Sequence, residues 1–254
     1  MVYKSDDTPL KPLKWYKSLA DKKERLEAGL FLVEGERAVR QIAENNPDAI
    51  LEVLSTSEVP SFCSIYPYRH ITGEQLRSIT SATTPQGIIA VLRIPRDVYS
   101  ANLPDNPGSK ILLLEDIQDP GNIGSLIRTA VAFGFSGVIM SEKCADPLSP
   151  KVVQSTAGTI LSLWIRRTGD YLSLVQSLKT KGYSIVAADL NGEENPSFLQ
   201  NTDKLLLALG NEASGLTDDL LKLADFRLRI SIEDKAESLN VAACGAICMY
   251  LGRG

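Results

Sequence analysis

Apolar and polar residues alternate in two different ways along the second half of this chain. Short, nearly continuous apolar runs predict buried β-strands, and apolar residues spaced three or four positions apart predict helices between them. Buried strands that alternate with helices are typical of a mostly parallel sheet with helices on both faces. The strands are predicted at 110–115, 137–140, 184–188, 204–209 and 226–230, and the helices at 123–133, 171–180, 218–224 and 238–251.

The first half of the chain has shorter and less regular patterns. A helix is predicted after Trp15, then a strand at 30–34 and a second helix that begins after Gly35. Further strands are predicted at 50–54 and 87–92. This half is therefore predicted to be a smaller, compact α/β domain.

A segment rich in turn-forming residues separates the two halves. Residues 95–110 contain three prolines, two asparagines and a glycine with little apolar periodicity. A chain of 254 residues is long enough for two domains that each bury a core. We predict an N-terminal domain at 1–100, a linker at 101–108 and a C-terminal domain at 109–254.

Composition indicates a folded globular protein. Hydrophobic residues make up 44% of the chain and charged residues 23%, which argues against disorder. No apolar run approaches the roughly 20 residues that span a bilayer, and the first residues lack the apolar core of a signal peptide. We therefore expect no membrane segment and a cytoplasmic location.

The cysteines and the single histidine predict no metal site. The 4 cysteines show no CxxC spacing, and only 1 histidine is present, so neither a zinc site nor a disulfide framework is expected. Cys244 and Cys248 lie four positions apart on a predicted helix, where small residues typically fill a packed face.

The net charge of −4 counts against a protein that coats nucleic acid through bulk electrostatics. A local basic segment between residues 11 and 25 nevertheless interleaves cations with Trp15 and Tyr16. Such a mixture suits RNA phosphates and unstacked bases, and it equally suits a solvated helix face beside a core aromatic residue. The cations are Lys11, Lys14, Lys17, Lys22, Lys23 and Arg25.

Three separated motifs carry the candidate chemistry. Residues 119–124 lead to Arg128, residues 210–216 read GNEASGL, and residues 238–241 read SLNV. Each places glycine or small polar residues near the end of an apolar run, where the carboxyl edge of a sheet presents its backbone to a ligand.

The first of these motifs also fits the start of a dinucleotide-binding unit, with Glu142 near the position of a ribose-binding acid. That fingerprint needs G-x-G-x-x-G. Here two residues separate Gly121 from Gly124, and the next glycine is Gly134. The dinucleotide hypothesis also leaves the two later motifs unexplained.

Taken together, the three motifs resemble those of the SpoU/TrmH family of RNA ribose 2′-O-methyltransferases, in the knotted SPOUT superfamily. The resemblance covers about residues 109–254. Segment 154–158 is similar to a small-residue segment between the family's first and second motifs, and segment 31–37 is similar to a signature of its N-terminal RNA-binding domain. The matched positions are Asn122 and Arg128 in the first motif, Gly210, Glu212 and Gly215 in the second, and Ile232, Ser238, Leu239 and Asn240 in the third.

The resemblance implies a fold, a cofactor and partners. It implies a C-terminal trefoil knot, whereas the strand pattern alone favours an ordinary doubly wound sheet. It implies S-adenosylmethionine as cofactor, held by backbone around Gly210, Ile232 and Leu239, where a glycine lets the backbone approach the ligand. It also implies ribosomal or transfer RNA as substrate and a homodimer whose site is completed across the interface.

Methyl transfer to a ribose hydroxyl requires that its proton be accepted or shared. No histidine occurs in the predicted C-terminal domain, because the single one is His70. The resemblance assigns the role to Arg128, with Asn122 and Glu212 holding the site and Ser238 and Asn240 ordering the third loop. A guanidinium is normally always protonated. Arg128 could therefore instead bind the target phosphate and lower the hydroxyl pKa, while Glu212 or a phosphate oxygen accepts the proton.

A second class of function is an RNA-binding protein whose knotted domain has lost activity. The motif residues named above are all present, which favours the enzyme. The target nucleotide and the RNA class stay open, since readout of single-stranded RNA depends on loop geometry.

Overall fold

The computed structural model describes residues 11–80, 82, 84–200, 202–233 and 238–253. It divides into two compact units, one containing the described residues up to Arg96 together with Asp146–Ser162, the other containing Asp97–Ala145 and the described residues from Leu163 onward. This division differs from the predicted limits. The predicted linker lies in the second unit, where the Asn102 carbonyl accepts a hydrogen bond from Arg166.

The first unit contains a four-stranded mixed sheet with strand order β1-β4-β2-β3. Strand β4 pairs antiparallel with β1 and β2, and β3 pairs parallel with β2. Its elements are α1 (Leu13–Ser18), α2 (Lys22–Ala28), β1 (Leu30–Glu34), α3 (Glu36–Asn45), β2 (Ile50–Ser55), β3 (Tyr68–His70), α4 (Gly73–Ile79), β4 (Ile88–Arg93) and, from later in the chain, α6 (Pro150–Ser155).

The predicted strands of the first unit are confirmed, and the predicted first helix is two short helices. Asp21 interrupts the helical stretch because its side chain accepts hydrogen bonds from the N–H groups of Lys23 and Glu24 and so caps α2. Gly29 ends α2 in the left-handed conformation, with φ 67°.

Two residues of the basic segment lie in the interior of the unit. Tyr16 is fully buried and donates its hydroxyl hydrogen bond to the Glu52 carboxylate at 2.9 Å. Arg25 is also buried, where it donates to the carbonyls of Leu19 and Ala20 and pairs with Asp146. The lysines of the segment are exposed.

The second unit is built on a parallel six-stranded sheet with order β10-β8-β9-β5-β6-β7. Its elements are β5 (Lys110–Leu114), α5 (Pro120–Ala132), β6 (Gly137–Ser141), β7 (Trp164–Thr168), α7 (Tyr171–Thr180), β8 (Ser184–Glu193), α8 (Ser197–Gln200), β9 (Leu205–Leu209), α9 (Asp218–Leu223), β10 (Phe226–Leu228) and α10 (Val241–Leu251).

Helices cover both faces of this sheet, as predicted. On one face, Ile111, Leu113 and Ile139 form a buried cluster with residues of α7 and α9. On the other face, α10 packs against α5 and β9. Gly245 of α10 makes this packing close, because a Cβ there would lie 2.4 Å from Leu126 Cδ2 and 2.6 Å from Leu209 Cδ1.

The apolar runs predict five of the six strands of this sheet, and β7 is missed. Its sequence WIRRT places two arginines in the middle of the strand. Arg166 is nevertheless 6% exposed, because its guanidinium donates to the carbonyls of Asn102 and Ile165. A local pattern cannot reveal the Asn102 carbonyl, which lies 64 positions away in the sequence. Within the described part of the chain, every helix is too short or too polar to span a membrane.

Candidate active site

The candidate site lies at the carboxyl ends of the neighbouring strands β5 and β9. The chain leaves β5 toward β6 and β7 on one side, whereas β9 lies on the other side, so the order reverses between them. Parallel α/β sheets bind ligands at such a reversal, because the two loops that follow the strands diverge and leave a crevice. The first motif follows β5 and the second follows β9.

The first motif opens helix α5. Asp119 is its N-cap, and its carboxylate accepts a hydrogen bond from the N–H of Asn122 at 2.8 Å. Pro120 follows as the first helical residue, where the missing N–H costs nothing. The helix therefore begins three residues before the predicted Ile123, and Asn122 is held in its first turn.

The second motif forms a tight loop. Asn211 and Gly215 exchange backbone hydrogen bonds of 3.1 and 2.9 Å, and the Asn211 side chain accepts from the N–H groups of Ala213 and Ser214. A Cβ on Gly210 would lie 2.3 Å from the Gly215 carbonyl carbon. Glycine at 210 is thus required by the approach of the loop's own backbone, a reason different from the predicted approach of a ligand.

A chain of side-chain amides joins all three motifs. Asn240 donates from Nδ2 to Asn122 Oδ1 at 3.0 Å, and Asn122 donates from Nδ2 to Glu212 Oε1 at 2.7 Å. Asn240 is also the N-cap of α10, because its Oδ1 accepts from the N–H groups of Ala242 and Ala243. The last helix therefore begins at Val241 rather than at the predicted Ser238. The amide dipoles point from the start of α10 toward the Glu212 carboxylate.

Arg128 lies on the same helix as Asn122 but on a different side of it. At 1.5 Å per residue, the two Cα atoms are about 9 Å apart along the axis. The side chain of Arg128 is exposed, and it forms no hydrogen bond or ion pair with any residue that the structure describes. Its guanidinium is thus available to an anion in solution.

The remaining predicted residues flank a segment outside the described residues, 234–237. Ile232 and Leu239 are half-buried, as is Gly210, and Ser238 is exposed. Among the described residues, the backbone N–H and carbonyl groups of Gly210, Ile232 and Leu239 make no hydrogen bond. Half-buried apolar side chains beside unpaired backbone groups suit a heterocyclic ring with a polar edge, which is the chemistry of adenine.

Two acidic residues after β5 were missed by sequence reasoning. Glu115 is fully buried and accepts hydrogen bonds from Thr217 and Tyr171. Burial, and to a smaller extent the hydrogen bond to Glu115, raises the pKa of the Tyr171 hydroxyl. Asp116 adopts φ 57°, and its carbonyl accepts from Asn211 Nδ2 at 2.9 Å. The LLLED run at 112–116 offered a signal, since an acid directly after a buried strand lies at the carboxyl edge.

The segment that resembles an RNA-binding signature has a defined structural role in the first unit. Glu34 accepts hydrogen bonds from the Gln86 N–H at 3.0 Å and from the Thr80 hydroxyl, so it joins β1 to the loop before β4. Gly35 has φ 102°, which favours glycine at the start of α3. Segment 154–158 also lies in this unit, where a Cβ on Gly158 would lie 2.9 Å from Ala38 Cα.

In the described ranges, no group of three or more histidine, cysteine, aspartate or glutamate side chains could hold a metal ion. All four cysteines are free thiols.

Comparison with protein families matches both parts of the chain. The SpoU rRNA Methylase family matches residues 109–250, and the MRM3-like substrate binding domain matches residues 11–90. Among curated proteins, 23S rRNA (guanosine(2553)-2'-O)-methyltransferase RlmP of Bacillus subtilis (strain 168) is 32% identical over 95% of this chain and 96% of its own length. The 23S rRNA (uridine(2479)-2'-O)-methyltransferase of Streptomyces viridochromogenes is 28% identical over 93% of this chain and 86% of its own.

Solved structures share the fold. The SpoU methyltransferase AviRb of Streptomyces viridochromogenes, in complex with the cofactor AdoMet, superposes with a TM-score of 0.82 at 26% identity and covers 96% of this chain and 97% of its own. An AdoMet-bound rRNA methyltransferase from Sinorhizobium meliloti gives a TM-score of 0.80 at 25% identity, covering 95% of this chain and 93% of its own.

Proposed function

This chain belongs to the SpoU rRNA methylase family, and from that membership we infer that it is an S-adenosylmethionine-dependent enzyme that methylates a ribose 2′-oxygen of ribosomal or transfer RNA. The observation that carries the inference within this molecule is the chain of hydrogen bonds from Asn240 through Asn122 to Glu212. It joins three motifs that are far apart in sequence at one crevice of the sheet.

We propose that Gly210, Ile232 and Leu239 hold the cofactor through their backbone groups and the two apolar side chains. S-adenosylmethionine supplies the electrophilic methyl group. Among the described residues, the free backbone groups at these positions support the assignment. Ser238, which directly precedes Leu239, is proposed to order the same loop.

Arg128 is proposed to bind the RNA phosphate beside the target ribose. An exposed guanidinium without a partner among the described residues can bind two phosphate oxygens at once. Its positive charge favours ionisation of a nearby hydroxyl and so lowers the pKa of that hydroxyl. In this proposal Arg128 aligns and activates the nucleophile, and the Glu212 carboxylate or a phosphate oxygen accepts the proton.

The Asn122 amide is proposed to keep Glu212 in place. By donating Nδ2 to Glu212 Oε1, Asn122 fixes the rotation of the carboxylate, while Asn240 fixes the Asn122 amide in turn. A positioned proton acceptor and nucleophile need no further reorientation at the moment of reaction, which is worth several kcal/mol of activation free energy, on the order of the effects seen in oriented intramolecular reactions.

The N-terminal unit is proposed to bind the RNA substrate. Its exposed lysines at positions 11, 14, 17, 22 and 23 provide the positive charge that phosphates require. Lys11 lies over the half-buried Trp15 ring, with its Nζ 5.5 Å from the ring centroid. Because RNA is the substrate, we expect the enzyme to act in the cytoplasm.

A homodimer is proposed, with α10 at the interface. Ile247 and Tyr250 on the outer side of this helix are 39% and 48% exposed, and Phe133 contacts Tyr250 edge to face. A second copy of this face would bury these apolar side chains. Size-exclusion chromatography with light scattering at micromolar concentration should give the dimer mass, and a monomer alone would contradict the proposal.

The trefoil knot is also proposed for this chain. The close packing of Gly245 against Leu126 and Leu209 brings the last helix against the first motif's helix and the strand before the second motif. In a trefoil knot the last segment passes through a loop of the chain, which is a rare exception to the rule that chains are unknotted.

The alternative is an inactive RNA-binding protein. Cofactor binding separates the two, because a ligand at about 100 times its dissociation constant stabilises the folded state by about 2.7 kcal/mol. S-adenosylmethionine should therefore raise the melting temperature, and an unchanged temperature would favour the binding protein. Comparing RNA methylation in strains with and without the gene would then identify the target nucleotide.

A further inference from the structure

The loop that carries Glu212 is held at both ends by two adjacent residues, Glu115 and Asp116. At its start, Asn211 donates from Nδ2 to the Asp116 carbonyl at 2.9 Å. At its end, Thr217 donates from its N–H to Glu115 Oε2 and from its hydroxyl to Glu115 Oε1, both at 2.7 Å. The strand end that precedes the first motif therefore fixes the second motif.

The Glu115 carboxylate has an unusual environment. It is 0% exposed, and its hydrogen-bond donors in the described part of the chain are the neutral groups of Thr217 and Tyr171. A buried carboxylate without a cation costs free energy, even when it is hydrogen-bonded, compared with an apolar side chain of similar size. Stability of the fold alone is therefore a poor reason for a glutamate at this position.

The backbone around Glu115 is also tied to the site. The Glu115 N–H donates to the Leu209 carbonyl at 2.9 Å, directly before Gly210. The next residue, Asp116, holds φ 57°, and the Ser141 hydroxyl fixes it by accepting from its N–H at 2.8 Å and donating to its carboxylate at 2.6 Å. Hydrogen bonds thus hold both anchors of the loop in place.

We propose that Glu115 is a positioning residue for methyl transfer: through Thr217 it fixes the end of the 210–217 loop, and so it holds Glu212 within hydrogen-bond distance of Asn122. Glu115 is fully buried, which excludes direct contact with RNA or with the reacting atoms. The inference rests on the proposed function, because the reaction is the one that Glu212 serves there.

Substitutions of Glu115 and of Thr217, the two residues in contact, test the proposal. Glu115→Gln keeps the shape of the side chain but sets an amide N–H₂ against a hydrogen-bond donor. Thr217→Val removes the hydroxyl, which donates to Glu115 and accepts from the Leu220 N–H as the N-cap of α9. Thr217→Ser keeps both contacts and is the matched control. The Thr217 variants leave the buried Glu115 side chain in place, so they test the same contact where a change at Glu115 itself is too costly for folding.

The measurement is single-turnover methyl transfer to RNA, at a temperature well below the lowest melting temperature of the set. Glu115→Gln and Thr217→Val should each slow methyl transfer about tenfold, which is the equivalent of one hydrogen bond to a charged group. Thr217→Ser should transfer the methyl group at the wild-type rate. The double variant should be no slower than the slower single variant, because both changes break the same contact.

Each outcome has a distinct meaning. Wild-type rates in folded Glu115→Gln and Thr217→Val would overturn the positioning role, as would a double variant whose losses multiply. A wild-type enzyme that leaves ribose unmethylated would instead contradict the proposed function. Loss of activity in Thr217→Ser equal to that in Thr217→Val would show that the hydroxyl contact is irrelevant.

Discussion

Asn122 donates a hydrogen bond to Glu212 over 2.7 Å, although 90 positions separate them in the sequence. The bond spans two strand ends of the sheet, since Asn122 lies in the helix after β5 and Glu212 in the loop after β9. A third amide, that of Asn240, fixes which atom of Asn122 faces the carboxylate. The activity should therefore depend on donor direction as well as on residue size.

Asn240→Asp tests that direction. The aspartate keeps an oxygen to cap α10, but it loses the Nδ2 donor and sets a carboxylate against Asn122 Oδ1. We expect nearly wild-type stability and methyl transfer slowed about tenfold. Asn240→Ala loses the cap as well, which should cost about 1 kcal/mol of unfolding free energy. Thermal unfolding measures the stability of the two variants, and initial rates measure their activity. A fully active Asn240→Asp would contradict the role of the hydrogen bonds from Asn240 through Asn122 to Glu212.

Gly210→Ala tests the packing of the second motif. The added Cβ would lie 2.3 Å from the Gly215 carbonyl carbon, so the backbone of the loop must move. We expect weaker binding of S-adenosylmethionine by isothermal titration calorimetry, by about tenfold or more. Gly73→Ala is the control, because only Arg77 Nη1 lies near its Cβ, at 3.8 Å. Wild-type affinity in Gly210→Ala would contradict the prediction.

The pair of Arg25 and Asp146 should dominate the stability of the first unit. Their side chains are 3% and 12% exposed, so removing one partner leaves a charge that is largely out of water. Arg25→Ala should lower the unfolding free energy by about 3–5 kcal/mol. Lys23→Ala removes one partner of an exposed pair with Glu27 and should change it by less than about 1 kcal/mol. Urea unfolding measures the free energy of unfolding of both variants. Equal losses in Arg25→Ala and Lys23→Ala would contradict the dominant contribution of the buried pair.

Glu52 should make stability depend on pH. Burial raises the pKa of this carboxyl above 4.5, although the Tyr16 hydrogen bond opposes the shift. Because the folded state binds the proton more tightly, this contribution is present below the unfolded pKa and is lost as pH rises through the folded value. Glu52→Gln should therefore gain stability relative to wild type on going from about pH 4 to neutral pH. A pH-independent difference in urea unfolding would contradict this.

Much of the fold follows from local pattern. Strands such as β5 and β9 are buried on both faces, so their sequences are continuously apolar and visible without tertiary information. The exact start of α5 depends on capping by Asp119, and the burial of Arg166 in β7 depends on the distant Asn102 carbonyl. The periodicity of apolar residues contains no information on either of these hydrogen bonds.

The sequence predicts which residues lie at the carboxyl edge of the sheet, but it does not predict which of their atoms contact one another. Asn122 and Glu212 follow apolar runs, and parallel strands bring such ends to one edge. Which atoms meet is set by the register between β5 and β9, where Leu114 pairs with Leu209. The burial of Glu115 is equally a tertiary property, because its donors come from residues 171 and 217.

Methyl transfer by wild type and Arg128→Ala tests the central claim most directly. Purified protein is incubated with methyl-labelled S-adenosylmethionine and total RNA, and the RNA is then digested to nucleosides. The account predicts label on ribose 2′-oxygens with wild type and its loss with Arg128→Ala, while Arg128→Ala still binds S-adenosylmethionine. Label on bases alone, no label at all, or full activity of Arg128→Ala would contradict it.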